Sequence, residues 1–198
     1  LRPHLAALAP GAPAAPGAAQ VASPIPLDVL VVDIDGYDCL LADELLHVVE
    51  PKILVIELAF HIPPPFRFSM HYDPARSTSW LQEYDVQRLD PLAGCSLSYA
   101  VHMLRRRQLW LLRLTHTDAV FVHDSVAPAV GEAFKVTFPQ DEIECFRRSR
   151  VWSMLPGSFV REWFFDPHPA TSFGRIFANL TALGAELGRA GAPFALDF

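Results

Sequence analysis

Paired glycines, clustered cysteines, long apolar runs and an excess of basic charge are all missing from this chain of 198 residues. No two of its 10 glycines are separated by a single residue, so not even a minimal G-x-G turn for cradling a dinucleotide is present. Its 3 cysteines, Cys39, Cys95 and Cys145, lie far apart and form no C-x-x-C. That spacing predicts neither a disulfide framework nor a zinc knuckle, and it fits a reducing compartment, cytoplasmic by default. No apolar run approaches the ~18 residues that a membrane span requires. The longest, Leu27 to Leu41, is broken by Asp33, Asp35 and Asp38. A formal net charge of −6 argues against a general nucleic-acid binder, which needs a basic surface. The one basic cluster, Arg105-Arg106-Arg107, falls at a predicted helix end, where cations complement the dipole. The chain opens on Leu1 with no charged-then-apolar leader pattern, which suggests a lost amino end.

What is present is a globular composition, 51% hydrophobic and only 19% charged. Residues 1–26 are dominated by Ala, Pro and Gly and read as a flexible lead-in. Val29 to Asp33 then reads as a strand covered on both faces, and Gly36 makes the turn after it. Leu41, Leu45, Val48 and Val49 recur at helical spacing, with Pro51 ending that helix. Ile53 to Leu58 is a second strand, and the three elements make a parallel βαβ unit. The proline-rich segment from His61 to Leu92 reads as a long functional loop or lid. Gly94-Cys95-Ser96 starts a helix facing inward through Leu97, Ala100, Val101 and Leu104. Leu109 to Leu114 and Ala119 to His123 flank Thr115-His116-Thr117-Asp118 as an antiparallel hairpin. Residues 27–126 therefore form the α/β body and 127–198 an irregular and helical tail. In that tail, Trp and Phe cluster from Trp152 to Phe165, and an apolar helical face runs from Phe173 to Leu187.

The two strands end in acids: Asp33-Ile34-Asp35-Gly36 after the first and Glu57 after the second. Open α/β sheets place ligand groups in the crevice beyond the carboxyl ends of their strands. Asp33, Asp35 and Glu57 together supply oxygens suited to Mg²⁺ or Ca²⁺. The competing assignment has Asp33 capping the turn, Asp38 capping the helix, and Glu57 alone facing the crevice. His61 and His71, in the loop, are candidate general bases near neutral pH.

In order along the chain, five phrases resemble a known family. They are Val31-Val-Asp-Ile-Asp-Gly-Tyr-Asp38, Pro51-Lys-Ile-Leu-Val-Ile-Glu57, Ile62-Pro-Pro-Pro65 with Tyr72-Asp-Pro74, Gly94-Cys-Ser-Leu97 and Val120-Phe-Val122. From about residue 27 to 124 the chain is similar to the carboxyl-terminal half of a class I S-adenosylmethionine-dependent methyltransferase domain, of the FkbM-like group. The resemblance implies a partial Rossmann-like sheet, strands four to seven of the family, with the last antiparallel. It also implies S-adenosylmethionine as cofactor, although the cofactor-binding half has no counterpart in these residues. The acceptor would be a small molecule, glycan or lipid, with Mg²⁺ on Asp33, Asp35 and Glu57 assisting O-methyl transfer. Tyr37 stands where the family has Asn, and Leu58-Ala59 where it has an aromatic and Asn.

Two rival classes remain. Asp33-Ile34-Asp35-Gly36 also resembles the nucleophile motif of haloacid-dehalogenase-like phosphatases, with Asp33 attacking phosphorus. That family expects Thr at Tyr37 and Ser or Thr at Glu57. The other rival is a non-catalytic remnant or interaction module on the methyltransferase scaffold.

Overall fold

The computed structural model describes residues 23–34, 36–60, 62–70, 94–115, 117–149 and 194–197, together with Gly174, Ala178, Thr181 and Ala182. The architecture is α/β, built on a mixed four-stranded open sheet. β1 (Ile25–Val32) and β2 (Val49–Glu57) pair in parallel, from Ile25↔Val49 to Val32↔Ile56. Parallel neighbours need a crossover, and α1 (Asp38–Leu45) provides it. β4 (Leu109–Leu114) and β5 (Asp118–His123) form the expected antiparallel hairpin. β5 also lies antiparallel against β2, from Ile53↔Val122 to Glu57↔Asp118. The order is therefore β1-β2-β5-β4, and of these four strands β5 alone runs against the rest.

The core lies on one face of this sheet. Val32, Leu54, Ile56, Ala119 and Phe121 alternate inward along their strands, as a period of two requires. Cys39 and Ala42 of α1 cover them, with Leu97, Ala100 and Leu104 of α2 (Leu97–Arg105). These are three of the four inward positions its sequence spacing predicts, and the fourth, Val101, is partly buried against the same core. α3 (Ala127–Phe134) and α4 (Glu142–Arg148) follow the hairpin, and α4 adds Cys145 and Phe146 to the core. The three consecutive arginines sit where α2 ends and diverge there. Arg105 stacks over Trp110 at 6.0 Å, while Arg107 reaches back to His47 Nε2 at 3.1 Å.

Several expectations need correction. α1 does not bury Leu41 and Val48, which are exposed; Cys39, Ala42 and Leu46 face inward instead. The helix starts at Asp38 and is only eight residues long, so its inward stripe is set by small residues that let it approach the sheet. Pro51 does not end a helix but lies within β2, opposite Leu27. β5 joins β2 only from Ile53 onward, so Pro51 sits where the strand is paired on one side, a place that tolerates a missing N–H. The opening of the supposed lid is packed: Ile62, Phe66 and Phe68 are 0–1% exposed. β3 (Arg67–Met70) within it pairs with β6 (Phe194–Asp197), a strand that the tail's composition does not announce. Cys39 and Cys95, expected to be unpaired, form a disulfide with Cα atoms 6.0 Å apart. The fold closes a separation of 56 residues by returning the chain to the end of β1.

Candidate functional site

The candidate site lies at the carboxyl ends of β1 and β2. Their last register pair is Val32↔Ile56, so Asp33 and Glu57 leave neighbouring strands side by side. Asp33 is exposed and Glu57 half-buried. Opposite Glu57 across the β2–β5 ladder stands Asp118, an acid that sequence reasoning passed over as part of a turn. Its carbonyl accepts from the Thr115 amide at 2.8 Å and from Thr115 Oγ1 at 3.1 Å, closing the hairpin end. Asp35, His61, His71 and the Tyr72-Asp73-Pro74 phrase lie outside the described residues, as do the aromatics from Trp152 to Phe165. Among the described residues no three His, Cys, Asp or Glu side chains stand close enough to share a metal ion.

The carboxylate that organises this end of the sheet is Asp38, which is fully buried. Its Oδ1 accepts the Ile34 amide at 2.8 Å and its Oδ2 the Gly36 amide at 2.9 Å. The side chain thus staples the loop after β1 by reaching back to amides that precede it, rather than capping the helix; the N-cap residue of α1 is Tyr37. Burial pushes the Asp38 carboxyl above its ordinary 3.8 and the nearby Asp33 charge adds to that, while the amide hydrogen bonds oppose it. The spacing Asp35-Gly-Tyr-Asp38, an acid two residues beyond a turn glycine, was the available signal.

Gly94 closes the site from the other side. Its φ of +80° is a conformation that side chains rarely adopt. A Cβ there would stand 3.6 Å from Asp38 Oδ2 and 3.7 Å from the Glu57 carbonyl, ordinary contact distances, so the backbone conformation and not lack of space is what calls for glycine. The next residue, Cys95, accepts the Ala59 amide on its carbonyl at 2.8 Å and carries the cross-link to Cys39. Ser96 then caps α2. Its Oγ accepts from the Tyr99 amide at 3.3 Å and the Phe68 amide at 2.9 Å, and donates to the Phe66 carbonyl at 2.7 Å. One buried hydroxyl therefore fixes both the start of α2 and the edge of β3.

No family model, curated protein or solved structure matches this chain. The class defined by the coordinates is an α/β protein whose open sheet gathers acids at the carboxyl ends of two parallel strands and the start of an antiparallel one.

Proposed function

We propose that this chain is the carboxyl-terminal half of a class I S-adenosylmethionine-dependent methyltransferase domain, acting on a hydroxyl of a small-molecule, glycan or lipid acceptor. The supporting observation is the strand arrangement: two parallel strands joined through α1, then a hairpin whose returning strand inserts against β2 in the opposite sense. That is the feature implied by strands four to seven with the last antiparallel. The acids at the strand ends agree with an acceptor-side crevice, where a carboxylate can hold or orient a hydroxyl.

When bound, S-adenosylmethionine supplies an electrophilic methyl group. The described residues do not by themselves fit that cofactor, because the sequence holds no G-x-G turn and, on this reading, β1 would correspond to the family's fourth strand. Asp33 and Glu57 are oxygen donors of the kind Mg²⁺ accepts, but no third donor joins them among the described residues, so no reaction step is assigned to a metal.

Calorimetric titration of the folded product of this gene, carried with its upstream sequence, tests the proposal. S-adenosylmethionine should bind the longer protein and give no heat with these 198 residues alone. A folded longer protein that takes up no cofactor rejects the enzyme and leaves an interaction module. Hydrolysis of a generic phosphate ester that is abolished by Asp33→Asn would instead favour the phosphatase.

A further inference from the structure

We infer that the Cys39–Cys95 disulfide is a redox-controlled latch on the loop that follows β1, the loop carrying Asp33. The bond joins two residues that each neighbour a group essential to that loop. Cys39 follows Asp38, whose carboxylate holds the Ile34 and Gly36 amides. Cys95 follows Gly94, which passes beside Asp38 Oδ2, and its carbonyl holds the Ala59 amide two residues beyond Glu57. The covalent bond joins the start of α1 to the segment before α2, and the hydrogen bonds of Asp38 and of the Cys95 carbonyl carry that link to the segments after β1 and β2. These segments all border the acidic end of the sheet.

The sulfurs are nearly inaccessible, with Cys39 1% and Cys95 0% exposed. Exchange with a reductant consequently requires this loop to open, which couples the redox state to the loop rather than to the surface at large. The reductant is a dithiol. Its thiolate attacks one Sγ to give a mixed disulfide and displaces the other sulfur as a thiolate. Its second thiolate then releases the first sulfur. Two electrons pass to the two cysteine sulfurs, two protons end on them, and the reductant leaves as its own disulfide. Cys145, buried in α4 and outside the pair, takes no part. The inference does not depend on the methyltransferase reading, because it concerns only the loop.

The test uses the full chain in oxidised and dithiol-reduced forms. Alkylation after denaturation should modify one cysteine in the oxidised form and all 3 after reduction. Amide hydrogen exchange should then show protection at Ile34 and Gly36 falling about tenfold on reduction and returning on reoxidation. Protection at Leu54 and Ile56, in the sheet, should stay unchanged. Three modifiable thiols in the oxidised form overturn the proposal, and so does equal protection in both states. Loss of protection throughout the sheet overturns it as well, since the bond would then be a general staple and not a latch. The Cys39→Ser/Cys95→Ser variant should reproduce the reduced pattern; if it fails to fold, chemical reduction of the unaltered chain still decides.

Discussion

Asp38 is a buried acid held by two amides, and its titration has a definite sign. Its carboxyl is raised above 3.8 in the folded chain, so between that value and the folded one the native state holds a proton that the unfolded state has lost. The contribution of this group to stability is greatest below the unfolded value and declines as pH rises through the folded one. Asp38→Asn removes the titration and leaves one amide facing a donor, a loss of about 1–3 kcal/mol. Urea unfolding of both proteins between pH 4 and 7 should show the advantage of the native residue shrinking as pH rises. An advantage that grows with pH would contradict the assignment. Cys145 gives a second prediction at this scale. Burial pushes its thiol up to about 11, so at pH 8 it is protonated and shielded. Iodoacetamide should leave it unmodified in the native protein and label it once the chain is denatured; rapid native labelling would show that the α4 face opens.

Elements here are held by single polar side chains as much as by apolar stripes. Ser96 serves α2 and β3 at once, so Ser96→Ala removes a cap and strands the buried Phe68 amide. The expected cost is about 2–3 kcal/mol, measured as a lowered urea midpoint with unchanged slope. A cost under about 0.5 kcal/mol, the level of an ordinary surface change, would mean that water replaces the hydroxyl. The same scale explains which elements were legible. α2 and the β4–β5 hairpin carry several large apolar residues in a consistent period, and they form where expected. α1 misled because its inward stripe is made of Cys39 and Ala42, which pattern reading undervalues against Leu41 and Val48. β3 and β6 are four residues each, too short for periodicity, and each exists because the other pairs with it. Of the acids, Asp33 and Glu57 lie at neighbouring strand ends as inferred. Asp118 joins that end only through the cross-strand register.

Across the whole molecule, the anomaly is the outer strand. Val29 and Val31 of β1 are 53% and 62% exposed, and Ile25 and Ile34 flank them in the open. Among the described residues β1 ends the sheet order, so an apolar face and a strand edge coincide there. The exposed Lys52–Asp28 ion pair falls on the opposite face by the strand period, so it does not break up this apolar side. Exposed apolar edges template association. The chain by itself should self-associate at micromolar concentrations, and Val29→Thr with Val31→Thr should shift it toward monomer by sedimentation velocity. A monodisperse monomer before any substitution would show that the face is covered.

The sequence by itself determined the parallel βαβ unit, the hairpin and the acids that end β1 and β2, because those depend on local period, turn residues and strand ends. Tertiary structure decided the rest: that Asp38 is the buried carboxylate, that Cys39 meets Cys95, that β6 returns to β3, and that β5 inserts against β2. Each is a pairing between segments distant along the chain. Such pairings are selected by packing and by satisfying buried polar groups, which no local pattern encodes.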